Sequence, residues 1–368
     1  MSDLDARLAR LRGSAQPKRH TARTIAAMTA NPGCSRRAVL DAAGVDKGRL
    51  ATQVGFPARF GQSRFAITRG NAFEAQIKAD GCAELLSLLR EKLDLPLSEV
   101  GYQDLESLGN ESNADRHARA REAITNAATE AGTLFDHPLL RMEVGGRAVY
   151  LEPDLIAFRL AGRFHVVEIK SFPVIDGQAD PAKVAAAAIQ SAVYVLAMRT
   201  MLEEQGLDPA TVSHDIVLVC PKDFANSPAV TLVDVRKQLT VLRRQLSRMA
   251  RIEELLDLLP DDLTVDPRPD ADGVPTATPE ELGAALHQVD ARYAPECLSH
   301  CEIAYFCRHE ARGETSALGR AVREDLGGIE SIDTALALAR ETRRPTPEQE
   351  ESAALLRAAA RLRAEVSA

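Results

Sequence analysis

From Leu139 the chain alternates apolar and polar residues with a period of two, through LLRMEVGGRAVYLEPDLIAFRLAGRFHVVEIKSF. Successive side chains of a strand point to opposite faces, so this stretch predicts half-buried strands, with hairpin turns at Gly145-Gly146 and Ala161-Gly162. On either side the period lengthens. Apolar residues at three- and four-residue intervals predict a helix from near Gly70 through NAFEAQIKADGCAELLSLLREKL, another over 114–131, and an alanine-rich one over roughly 181–199, with Pro181 suited to its first turn. HDIVLVC and AVTLVDV read as strands, so strand, helix and strand alternate and predict a mixed α/β sheet flanked by helices.

VRKQLTVLRRQLSRMARIEELLDLL reads as one long amphipathic helix whose polar side carries Arg236, Lys237, Arg243, Arg244, Arg248 and Arg251. That side could meet phosphates, or it could be a solvated face with ion pairs to nearby acids. The first 70 residues mix basic and apolar positions, and Asn31-Pro32-Gly33 breaks their pattern ahead of Cys34, which predicts a helical arm entered through a turn. The expected divisions are a helical arm over 1–69, a core over 70–258, a Pro- and Asp-rich linker over 259–278, a cysteine-bearing segment over 279–312 and a helical tail over 313–368. There is no internal repeat.

The 45% hydrophobic content of the 368 residues suffices for a full core. With 45 basic against 53 acidic residues the net charge of −8 disfavours indiscriminate adhesion to nucleic acid, so any such contact needs a local basic surface. The apolar run Val184 to Met198 is interrupted by Gln190 and Ser191, and no long apolar stretch opens the chain, so a soluble cytoplasmic protein without a membrane is expected. Six cysteines are too few and too unevenly placed for a disulfide scaffold. Cys297, Cys301 and Cys307 crowd one short segment and suggest metal or cluster ligation, whereas isolated Cys82 and Cys220 read as buried core thiols.

Asp154 and Glu168 can be brought side by side by antiparallel strands joined at Ala161-Gly162. Glu168 and Lys170 would share one strand face while Ile169 points into the core. Two carboxylates and an ammonium in one small site suit a hard divalent cation and a phosphate ester. The plainer alternative is a salt-bridged pair at a strand end.

The order EPD, EIK, then QSAVY on the following helix resembles the PD-(D/E)xK nucleases, and within them the RecB-type group, over roughly residues 20–312. The resemblance implies a restriction-endonuclease-like core and phosphodiester hydrolysis of DNA, single strands in the first place. Asp154, Glu168, the backbone carbonyl of Ile169 and Glu74 on an upstream helix would hold Mg²⁺ or Mn²⁺. Lys170 would orient the attacking water. Gln190 and Tyr194, four apart on a helix, would share a face toward the DNA or the active site. CSRRAVL resembles the Cys-x-Arg-Arg stretch of iron–sulfur members such as CRISPR adaptation nucleases and the AddB subunit, which implies that Cys34 joins Cys297, Cys301 and Cys307 around a [4Fe-4S] cluster tying the N-terminal arm to the C-terminal segment. Such a closure of about 260 residues would stabilise on the order of 5 kcal/mol.

This chain has three residues between Cys297 and Cys301 where the family commonly has two, and a structural zinc with His300 or His309 as fourth ligand is the rival. No phosphate-binding Gly-x-x-x-x-Gly-Lys-Ser/Thr loop is present, so a helicase, like any CRISPR or phage-defence protein or repair partner, would act in trans. The rival functions are a nuclease-like DNA-binding subunit that does not cut and a restriction-type endonuclease.

Overall fold

The computed structural model describes residues 3–58, 64–93, 101–106, 109–127, 133–160, 163–223, 225 and 227–367. Its α-helices are α1 (Asp3–Arg12), α2 (Ala22–Ala30), α3 (Ser35–Ala42), α4 (Lys47–Gln53), α5 (Arg64–Leu93), α6 (Asn113–Ala127), α7 (Pro181–Glu204), α8 (Arg236–Leu246), α9 (Ile252–Asp257), α10 (Pro279–His287), α11 (Ala304–Glu310), α12 (Arg320–Asp325), α13 (Ile332–Ala339) and α14 (Glu350–Ser367). The strands are β1 (Gly101–Asp104), β2 (Thr133–Asp136), β3 (Leu140–Val144), β4 (Arg147–Leu151), β5 (Leu155–Leu160), β6 (Arg163–Ile169), β7 (Asp215–Pro221) and β8 (Pro228–Asp234). The chain divides into two compact units, one of residues 1–17, 33–60 and 256–368, the other of residues 18–32 and 61–255.

The second unit is mixed α/β, as the pattern predicts. Its sheet runs β1-β2-β5-β6-β7-β8, with β1–β2 and β6–β7 parallel and the other neighbours antiparallel. Alternate residues of β6 feed different cores: Phe164 and Val166 pack with Ala192, Val193 and Val195 of α7, while Val167 and Ile169 pack with Phe73, Ile77 and Leu85 of α5. The central strands are therefore covered on both faces, which explains their near-continuous apolar runs. α7 also meets α2, α8 and the β3–β4 hairpin, so it is apolar on nearly every side. Among the described residues it is the one helix long and apolar enough to cross a membrane, and half of that apolar stretch is buried within the protein. Asp180 caps its start, accepting the Ala182 and Lys183 amides, with Pro181 at the first turn.

Three expectations change. The helix expected from Gly70 begins at Arg64 and is interrupted at Asp80, Gly81 and Cys82, whose φ values of 51°, 62° and 64° are left-handed. The single long helix expected after Val235 is two, α8 and α9, because the chain turns after Leu246 and the Ile252 amide donates to Gly145 O (3.0 Å) in the β3–β4 turn. β1 and β2 precede the expected start of the sheet. The Gly145-Gly146 turn lies where it was expected, with φ of 58° and 79°. The Ala161-Gly162 turn and residues 128–131 of the helix expected over 114–131 lie outside the described residues.

In the first unit, segments some 250 residues apart are laced together. The Val265 amide donates to Leu11 O (2.9 Å), Asp266 accepts from the Ser14 hydroxyl (3.0 Å) and amide (3.1 Å), and the Arg36 amide donates to Asp290 O (2.8 Å). A small separate core of Leu326, Ile329, Ala335, Leu338 and Ala353 joins α13 to α14.

Candidate active site and cysteine centre

The β5–β6 register pairs Leu155 with Val167, which carries Asp154, just before β5, alongside Glu168 near the end of β6. Asp154 Oδ2 accepts the Ile169 amide (2.7 Å), so the backbone of one strand end fixes the carboxylate of the other. Glu168 is 2% exposed, and its Oε1 is ion-paired with the Lys170 ammonium. Lys170 follows the last residue of β6, tied by its amide to Val219 O (2.9 Å), while the Ile169 side chain lies in the α5-side core. Asp154, Glu168 and Lys170 thus meet, as the strand pattern predicts.

Burial, and then the neighbouring Asp154, push the Glu168 carboxyl up to about 7, against the opposing pull of Lys170. Asp154 is also raised, chiefly by burial, with Glu74 adding to it. Burial would lower the Lys170 ammonium, but Glu168 and Asp154 outweigh it and the pKa rises, so the lysine stays charged. Glu168 Oε2 is buried with no partner at full hydrogen-bond geometry, although the Ser191 hydroxyl of α7 lies close enough to pull the Glu168 pKa down against the effect of burial. Two carboxylates facing one ammonium leave surplus negative charge and a free buried oxygen, a donor set fit for a hard cation.

Glu74 is close enough to act on Asp154, but its nearest partner is Lys78, one turn along α5 (2.7 Å). Lys78 also pairs with the buried Asp136 at the end of β2 (2.8 Å), and its Nζ is 3.2 Å from His137 Nε2. Burial alone would lower the Lys78 pKa; the hydrogen bonds to Asp136 and Glu74 prevail and raise it. The Tyr102 hydroxyl donates to the other Asp136 oxygen (2.6 Å). Sequence reasoning missed Lys78, Asp136 and Tyr102. Among the described residues, the His and acid groups tight enough to hold one ion are Asp104–Asp136–His137 and His214–Asp215–Asp234; Glu74, Asp154 and Glu168 do not close to that spacing. The first of these groups could hold a metal, although Lys78 already offers its charge there.

On α7, Gln190 is half-buried next to Ser191. Tyr194 is 9% exposed and donates its hydroxyl to Glu152 O (3.2 Å), two residues before Asp154. Its ring presents no open face to a base; the residue braces the segment that delivers Asp154. Burial first, then Glu168 and Asp154, raise its pKa well above the ordinary tyrosine range, so it remains a neutral donor.

The cysteine set lies within the first unit. Cys34 stands at the N-cap position of α3, Cys297 in a short 3₁₀ turn, Cys301 just beyond it and Cys307 in α11. None of the four is in a disulfide, and the three late ones are buried. Burial first, opposed by nearby arginines, pushes Cys301 up to about 11 and Cys307 up to about 12, and Cys34 lies close enough to add to both. Cations line the group. Arg36, 2% exposed, donates to Cys307 Sγ (3.3 Å) and grips Glu310 with two nitrogens. Arg37 donates to His300 O (2.9 Å) and pairs with Asp41, which also holds Lys47. His309 stacks on Phe56 (centroids 4.9 Å), and His300 Nε2 is buried and unpartnered. These buried cysteines could hold a metal. Among the described residues, though, no three of their sulfurs fall within 4.8 Å of one another, wider than the roughly 4 Å that four thiolates around one zinc require at a bond length of about 2.3 Å. Cys82 and Cys220 are fully buried and lie apart from this set in the second unit.

No family model and no curated protein matches the chain. Among solved structures it is similar to the crystal structure of SSO0001, at 14% identity over 66% of this chain and 83% of that one, with a TM-score of 0.26, a likeness too slight to carry an argument.

Proposed function

We propose that the chain is a metal-dependent nuclease of the PD-(D/E)xK kind that cleaves DNA. The observation that carries this reading is the meeting of Asp154, Glu168 and Lys170 at one end of a hairpin, with a buried Glu168 oxygen left without a partner. Asp154 and Glu168 would hold Mg²⁺ or Mn²⁺, which when bound supplies Lewis-acid polarisation of a phosphoryl oxygen and a lowered pKa for a water. The Ile169 amide keeps Asp154 from rotating, and Tyr194 pins the β4–β5 connection that delivers it. Lys170 offers a permanent positive charge to the phosphate as its oxygens gain charge. Lys78 restrains Glu74, the third carboxylate, at the edge of the site.

Cys34, Cys297, Cys301 and Cys307 would hold a [4Fe-4S] cluster. In such a cluster each of the four thiolates binds a different iron. Buried Arg36 and Arg37 complement the charge of such a centre. Lys170→Ala tests the catalytic reading: cleavage of single-stranded and duplex DNA with Mg²⁺ or Mn²⁺ is expected to fall at least about a hundredfold, measured at a temperature where circular dichroism shows the variant folded. Undiminished cleavage overturns it.

A further inference from the structure

The second unit carries an uncompensated basic surface that the catalytic reading does not use. α8 buries Leu239 and Leu242 against α7 and α2, which turns Lys237 and Arg244 outward, two turns or about 10 Å apart. Arg236 and Arg243 form a second row on one flank. The eleven residues of α8 contain four basic side chains and no acidic one, and Arg248 comes two residues after its end. Arg236 is neutralised by Asp234 and Arg251 by Glu253. Lys237, Arg243, Arg244 and Arg248 are exposed and form no ion pair among the described residues. Two further arginines approach from neighbouring elements. Arg199 of α7, its guanidinium donating to Val212 O (2.8 Å), has Arg243 and Arg163 as its charged neighbours, and burial followed by their repulsion lowers its pKa. Arg163 opens β6 and is exposed.

Like charges gather at a cost unless an anion offsets them. In a chain of net charge −8, six cations from three elements amount to a local field opposite in sign to the whole. Only Arg199 is tied to the core, through Val212 O, whereas the exposed cations of α8 match a ligand with repeated negative charge. The patch lies away from the catalytic group: Arg163 and Glu168 stand at opposite ends of β6, about 17 Å apart at about 3.3 Å per residue.

We propose that Lys237, Arg243, Arg244 and Arg248, with Arg163 and Arg199, form a sequence-independent docking surface for the phosphodiester backbone of a nucleic acid. The choice of nucleic acid among polyanions rests on the nuclease reading; the charged surface itself does not. Phosphate contacts of this kind position a strand and make its affinity depend on salt.

The test is fluorescence anisotropy of a labelled thirty-nucleotide single strand and of the matching duplex, titrated in EDTA at several salt concentrations. Wild-type protein is compared with Lys237→Gln/Arg244→Gln, both substitutions exposed and checked for an unchanged melting curve. The double variant is expected to bind at least tenfold more weakly at low salt, and its slope of log affinity against log salt is expected to be shallower by about 1.4 for single strands or 1.8 for duplex. Equal affinity and slope in the two proteins overturns the proposal. So does wild-type protein that binds phosphatidylserine vesicles but neither nucleic acid. Because EDTA removes cleavage, protein that binds through α8 yet cuts nothing when Mg²⁺ or Mn²⁺ is restored sinks the catalytic reading and leaves this surface standing.

Discussion

Glu168 is where buried charge has the clearest consequence. Its ordinary pKa is 4.5, and burial lifts it to about 7 in the folded protein. Because the folded pKa is the higher, the folded state binds the proton more tightly, so this group's stabilising contribution is complete below about pH 4.5 and is lost as pH rises through about 7. Other groups titrate in the same range; burial lowers His117, for example. The useful quantity is therefore the difference in unfolding free energy between wild type and Glu168→Gln, without divalent cations. That difference should move against the wild type by up to about 3 kcal/mol between pH 5 and 8. Mg²⁺ should recover part of it at pH 8 and none at pH 5, because only the ionised carboxylate attracts the cation. A difference that stays flat across this range would mean that the carboxylate is better solvated than its burial suggests. The same titration bears on activity: with limiting Mg²⁺, cleavage should climb as pH passes about 7, and more Mg²⁺ should shift the climb to lower pH.

The β3–β4 hairpin shows how far local pattern can be trusted. Alternation over Leu140–Val144, followed by Gly-Gly and the apolar run Ala148–Leu151, specifies both its pairing and its turn, and both strands bury alternate residues. Gly145 sits at φ 58°, where a Cβ would meet Ile252 Cγ1 at 3.2 Å, so Gly145→Val adds backbone strain to crowding. A loss of about 1–2 kcal/mol in urea denaturation is expected; an unchanged midpoint would show the turn to be free to rearrange. The close approach of Asp154 and Glu168 was equally legible, because hairpin register follows from alternation. Less so were β1 and β2, four residues each: too short for a period to declare itself, and in β1 every residue is exposed. The break between α8 and α9 was hidden because a carbonyl about 107 residues upstream, Gly145 O, draws off the Ile252 amide. Lys78 and Asp136 share no motif; their ion pair exists only because α5 packs on the sheet beside β2.

At the scale of the whole molecule, the cysteine centre tests whether metal and fold are one equilibrium. The first unit is assembled from three stretches of chain, and the cysteine set draws on two of them, Cys34 from the second and the other three from the last. A ligand bound by the folded state alone adds its binding free energy to stability, so removing it should loosen this unit selectively. Protein purified without oxygen should contain iron and absorb broadly near 400 nm, and Cys34→Ser should lose both. In the stripped protein, amide exchange should speed up in α3 and α11, while the amides of β5, β6 and β7, which belong to the other unit with cores of its own, keep their protection. Arg36→Met supplies the control. It removes the bond to Cys307 and leaves Glu310 without its buried guanidinium, at a cost of about 3 kcal/mol. The variant should therefore be destabilised even when its cysteines retain the metal. Stoichiometric zinc in place of iron would replace the cluster with a single-ion site, and the four sulfurs would have to draw together around it.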